Sequence, residues 1–150
     1  GFLNSLLARY NNQDPASASF VIRFNAALRK GNVEEALSRM QSFLAAMPND
    51  LENKTEKHYQ TIIYLIFSLL GYYIRTEEKC ADAVCWTDNS IYVFEFKVDS
   101  SAETALKQID DKGYMIPFRF EDGKRLVKVG VNISTVSRTL EDWKIDVVNA

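Results

Sequence analysis

The run Ser90-Ile91-Tyr92-Val93-Phe94-Glu95-Phe96-Lys97-Val98 is apolar, β-branched and aromatic, with one acid and one base set into it. Strand side chains alternate between faces, so Glu95 and Lys97 point to the same side, about 7 Å apart along the backbone. Burying a carboxylate and an ammonium in such a strand is costly unless something pairs with them. A further acid, Asp82, stands just before the preceding apolar run Ala83-Val84-Cys85-Trp86. An acid and a lysine on one face, with a further acid nearby, can hold a divalent metal and polarise a water. The plainer alternative is an exposed antiparallel strand on which Glu and Lys are ordinary solvation. The flanking aromatics favour a buried sheet.

The elements that must position these residues begin with helices. Asp14-Pro15 reads as a helix start, Phe20, Val21, Phe24, Ala27 and Leu28 follow at helical spacing, and Gly31 ends the segment. Asn32 caps the next helix, with Glu35 three residues on and an apolar face of Val33, Ala36, Leu37, Met40, Phe43, Leu44 and Met47. Met47-Pro48-Asn49-Asp50 breaks it. Thr55 to Leu70 is a third helix whose polar first turn holds Glu56, Lys57, His58 and Gln60. Its remainder is apolar all round, which predicts burial all round against a sheet.

Strand-like runs follow at Tyr72–Thr76, Ala83–Thr87 and Ile91–Val98, the last two joined by a short Asp88-Asn89 turn. Ser100 to Glu103 reads as a capping box opening a fourth helix with the apolar face Ala102, Ala105, Leu106 and Ile109. Arg125–Ile133 and Trp143–Val148 read as further strands. This order predicts an α/β protein: a central mixed β-sheet flanked by helices, with residues 1–50 as an N-terminal helical extension and residues 51–150 as the main domain.

Composition narrows the function classes. At 150 residues, 47% hydrophobic and 25% charged, the chain has material for one ordinary core. The longest apolar run, Thr61 to Leu70, is too short to span a bilayer, so no membrane partner is expected. The net charge of −2 leaves no global basic field of the kind that coats nucleic acid. Lys107, Lys112, Arg119, Lys124, Arg125 and Lys128 cluster in sequence, but Asp110, Asp111, Glu121 and Asp122 dilute them into a solvated mixed-charge surface. Two cysteines and one histidine are too few for a structural zinc. Cys80 and Cys85, on opposite faces of one strand, read as reduced thiols of a cytoplasmic protein. The start at Gly1, without Met, leads to the expectation of a domain upstream.

Asp82, Glu95-x-Lys97, a helix before the sheet and a helix immediately after it resemble the PD-(D/E)xK nuclease superfamily, with its restriction-endonuclease-like fold. The stretches Leu51 to Gln60, Tyr92 to Lys97, and Ala105-Leu106-x-Gln108-Ile109-x-x-Lys112-Gly113-Tyr114 resemble the nuclease-like C-terminal domain of bacterial AAA-ATPase-like proteins. The resemblance covers about residues 50–148 and implies an ATPase domain upstream, joined through the first helices. It further implies Asp82 and Glu95 as metal ligands for Mg²⁺ or Mn²⁺, and Lys97 as the lysine that orients the attacking water and steadies the phosphate charge. Gln108 and Tyr114 resemble the Gln…Tyr element of RecB-like members, and Glu56 sits where some members place an extra acid. The implied function is metal-dependent phosphodiester hydrolysis, with DNA as the expected partner. The alternative is a catalytically degenerate module that keeps the fold to bind nucleic acid or protein.

Overall fold

The computed structural model describes residues 15–47, 56–70, 73–77 and 80–148. Helices α1 (Pro15–Arg29), α2 (Val33–Ala45) and α3 (Glu56–Leu69) precede strands β1 (Tyr73–Glu77), β2 (Cys80–Trp86) and β3 (Ser90–Val98). Helix α4 (Ala102–Asp111), a short 3-10 turn (Ile116–Phe118), β4 (Arg125–Ser134) and β5 (Thr139–Val147) complete the order. The strands form one five-stranded sheet in the order β1-β2-β3-β4-β5. All pairs are antiparallel except β3 and β4, whose parallel pairing requires the crossover that α4 supplies. No helix among the described residues is long and apolar enough to cross a membrane.

One face of the sheet carries Tyr92, Phe94, Phe96 and Val98 from β3 and Val127, Val129, Val131 and Ile133 from β4, all buried with α1, α2 and α3 in one core. Phe67 of α3 lies 5.5 Å from both Phe94 and Phe96, and Phe24 of α1 meets Phe67 edge-on at 6.0 Å. Such aromatic pairs add about 0.5–1.5 kcal/mol each beyond area burial. The α1–α2 hairpin is tied to the sheet by polar contacts as well. Tyr92 donates its hydroxyl to the Leu28 carbonyl at 3.0 Å, Gln41 donates to the Leu140 carbonyl at 2.8 Å, and the Trp143 indole donates to Glu34 at 2.8 Å.

Local signals behave as the residue types dictate, with four departures, the first being that β5 starts at Thr139, four residues before the expected Trp143. Asn32 caps α2 by accepting from the Glu35 amide at 3.1 Å, and Gly31 turns the chain at φ +79°. Helix α4, by contrast, starts one residue later than the Ser100–Glu103 box predicts. Ser101 is the cap and accepts from the Thr104 amide at 3.0 Å, because the Ser100 amide is taken by the Asn132 side chain. Helix α3 is not buried all round: Tyr59, Ile62, Ile63, Ile66 and Phe67 face the core, while Tyr64 is 45% exposed. A single sheet face beneath it offers only one side to bury against. Strand β2 begins at Cys80, so Asp82 is a strand residue and does not merely precede the strand. The expected Asp14 cap and the Gly71 stop lie outside the described residues.

Candidate active site

The opposite face of the sheet has a different chemistry. Alternation along β3 sends Ile91, Val93, Glu95 and Lys97 to this side, where α4 packs on β3, β4 and β5. Register then assembles a row across the sheet. Arg75 of β1 stands opposite Asp82 of β2, Asp82 opposite Glu95 of β3, Glu95 beside Gly130 of β4, and Gly130 opposite Lys144 of β5. Directly opposed positions in an antiparallel pair share a face, with Cβ atoms about 4.5–5.5 Å apart. Positions 82 and 95 are therefore immediate neighbours.

Gly130 explains how the helix reaches this row. A Cβ there would meet the Ala102 carbonyl oxygen at 2.5 Å and the Leu106 amide nitrogen at 2.5 Å. The missing side chain lets the backbone of the first turns of α4 rest on the sheet beside Glu95, whose own side chain is fully buried. The positive end of the helix dipole consequently lies at the level of the acids, which favours negative charge there. Lys97, half-buried, follows one step along the same face and pairs in register with Asn132.

Helix α4 has two flanks. Glu103 pairs with Lys144 at 2.7 Å, and Asp110 pairs with Lys128 at 2.8 Å, so this flank faces β4 and β5. Gln108 lies on the other flank by helical phase, one turn before Lys112, which lines a cleft together with Val84 and Trp86 of β2. Half-buried Gln108 thus stands at the edge of α4 nearest β2. Tyr114 lines the same cleft.

Two members of the basic cluster read from sequence, Lys128 and Arg125, are engaged in structural contacts. Lys128 shares the face of Glu95, but its ammonium is held by Asp110 at 2.8 and 3.0 Å and by Asp146 at 3.2 Å. Burial is the largest single influence on Lys128 and pulls its pKa down. The hydrogen bonds and charges of the two aspartates together outweigh it and leave the pKa above the ordinary lysine value. Arg125 donates to the Gly31 carbonyl at 3.1 Å, on the hairpin side. The first turn of α3 lies on the hairpin side of the sheet, where Tyr59 joins the core. His58 packs edge-on to Tyr59 there, and burial lowers its pKa. Burial raises the Tyr59 pKa, with Asp99 adding to the rise and Arg138 opposing it.

Among the described residues no group of three His, Cys, Asp or Glu side chains converges as a closed metal cage. Magnesium keeps several waters and needs only one or two protein carboxylates plus substrate oxygens. Asp82 and Glu95, as hard oxygen donors on facing strand positions, fit such a pair. Sequence reasoning placed Asp82, Glu95, Lys97 and Gln108 as candidates. Strand register also sets position 75, an arginine, opposite position 82, which residue spacing does not reveal.

Residues 54–143, more than half of the chain, match the PD-(D/E)XK nuclease superfamily, and the chain belongs to it. Its architecture is the restriction-endonuclease-like α/β fold. Nucleases of this superfamily generally use divalent metal ions. No curated protein and no solved structure matches the chain.

Proposed function

We propose that the chain is a Mg²⁺- or Mn²⁺-dependent nuclease that hydrolyses phosphodiester bonds in DNA. The observation that carries the reading is Asp82 in register opposite Glu95, with Lys97 next on the same face, in a chain of this superfamily. In this reading the carboxylates of Asp82 and Glu95 hold the ion. When bound, it supplies positive charge to the phosphate and lowers the pKa of the attacking water. Lys97 sets a second positive charge where negative charge develops on the phosphate oxygens and orients the water. Gln108 positions the substrate strand from the β2-facing flank of α4.

A supercoiled plasmid at low salt with Mn²⁺ is the test. Wild type is expected to nick it slowly, and Glu95→Ala and Lys97→Ala are expected not to. Activity should fall steeply with salt, since the few lysines and arginines act through phosphate contacts. Nicking by wild type no faster than by Glu95→Ala would overturn the reading.

The full burial of Glu95 favours a second reading, a degenerate module that binds nucleic acid or a protein without cutting. A shifted DNA band without nicking would establish it. The proposal also includes a AAA-like ATPase domain upstream, with residues 1–50 as the helical connection to residues 51–150. Its compartment is the cytoplasm, where the Cys85 thiol stays reduced. Translating the coding sequence upstream of Gly1 tests the ATPase link, and the lack of a nucleotide-binding domain there would remove it.

A further inference from the structure

The face that carries Asp82 continues along β2 through Val84 to Trp86, and there it opens into a cleft of about 480 Å³. Among the described residues its lining includes three aromatics, Trp86, Tyr114 and Phe118, and one charged residue, Lys112. Trp86 is 46% exposed, yet its ring is held on two sides. Phe118 meets it edge-on at 5.7 Å, and the Lys124 ammonium lies 6.0 Å from its centroid. Lys124 is fixed in turn by the carbonyls of Thr87 at 2.7 Å and Asp88 at 2.9 Å. Phe120, just beyond, is 82% exposed, with the Arg119 guanidinium 4.9 Å from its ring. Rigid, partly exposed rings with cations beside them are poor core material and good stacking surfaces.

We infer that this cleft binds unpaired bases of a single-stranded nucleic acid running along β2 toward the acid pair. The inference rests on the nuclease reading above and narrows its substrate. A duplex hides the faces of its bases, so only an unpaired base can lie on Trp86 or Phe118. The chain's net charge of −2 gives a polyanion little general attraction, and stacking supplies affinity that does not depend on it. The cleft has the size range of small-ligand sites, roughly 300–1,000 Å³. Trp86 lies four residue steps along the strand from Asp82, about 14 Å at the strand rise of ~3.4 Å. That span matches about four steps of a stacked strand at ~3.4 Å per nucleotide.

Fluorescence anisotropy on the full chain tests this, with a labelled mixed-sequence single strand and its duplex, in EDTA so that no strand is cut. Wild type is expected to prefer the single strand. Trp86→Ala is expected to weaken that binding roughly 5- to 150-fold, the conversion of ~1–3 kcal/mol per stacked base. Trp86→Tyr, which keeps an aromatic face, is expected to restore most of it. Preference for the duplex, or equal single-strand binding by wild type and Trp86→Ala, would overturn the inference while leaving plasmid nicking untouched. Failure of wild type to bind either form would also overturn it and leave the cleft to a protein partner. Absence of nicking, with single-strand binding still lost in Trp86→Ala, would overturn the nuclease reading alone.

Discussion

The two faces of strand β3 divide the work of this molecule. Toward α1, α2 and α3 the strand sends Tyr92, Phe94 and Phe96, which close an aromatic core. Toward α4 it sends Val93, Glu95 and Lys97, and the neighbouring positions on that side are Asp82, Gly130 and Asn132. The first face is filled by large side chains. On the second, the helix comes down onto a glycine, beside a buried carboxylate. One face is packed for stability, while the other sets a buried carboxylate beside the first turns of a helix. The contrast predicts that substitutions one residue apart in β3 have unlike consequences.

The largest effect is expected at Phe94. Its truncation to Ala removes the partner of Phe67 and leaves a cavity, at a cost of about 3–5 kcal/mol. Urea unfolding monitored by circular dichroism measures it, and a loss below about 1 kcal/mol would break the division between the faces. At the next residue, Glu95→Gln is expected to lower metal-dependent cleavage about 10²–10³-fold, the scale of removing one electrostatic group from a transition state. Its stability in EDTA should stay near that of wild type, because Gln fills the same volume as Glu and removes the cost of burying a charge. Added Mg²⁺ should raise the thermal midpoint of wild type and leave that of Glu95→Gln unchanged. Equal Mg²⁺ shifts in both would place the ion elsewhere.

How much of this division was legible in the sequence depends on the length scale of each signal. Alternation within Ser90–Val98 sorted the aromatic residues from Glu95 and Lys97, since a strand's period is local. The caps at Asn32 and near Ser101 were legible for the same reason. Register was not. That Asp82 faces both Arg75 and Glu95 follows from how three strands pair, and an apolar run does not state its partner. The one-residue displacement of the α4 cap came from the Asn132 side chain, far away in sequence. The exposed side of α3 was hidden because composition reports apolar content, not how many neighbours a helix has. The aromatic cleft was hidden because the 3-10 turn at Ile116–Phe118 has too few residues to show a period.

A smaller effect tests how closely α4 must sit. Gly130→Ala places a Cβ against helix backbone at Ala102 and Leu106, atoms that no rotamer change can move aside. A cost of about 1–3 kcal/mol is expected, as for overpacking generally. Cleavage should fall along with stability, because the helix that flanks Glu95 must shift. Full stability in Gly130→Ala would mean that the contact between α4 and the sheet is looser than the distances imply.

The smallest effect is expected at Lys128, a charged residue of this face that joins helix to sheet. Its ammonium bridges Asp110 on α4 and Asp146 on β5, so it ties helix to sheet. Both carboxylates are more than half exposed, and solvent screening limits the value of the pair. Lys128→Met is therefore expected to cost no more than about 1 kcal/mol. The pH dependence carries the sharper signature. Because the folded pKa lies above the unfolded value, the contribution is complete below the ordinary lysine range and disappears as pH rises through the folded pKa. Wild type should thus lose stability above about pH 10.4 by more than Lys128→Met does, and the two unfolding curves should converge there. Parallel curves through that range would show that Lys128 contributes packing by its alkyl stem and not the ion pair. The aspartates would then be free to rearrange, and the flank of α4 facing β5 would be held by Glu103 and Lys144 at 2.7 Å instead.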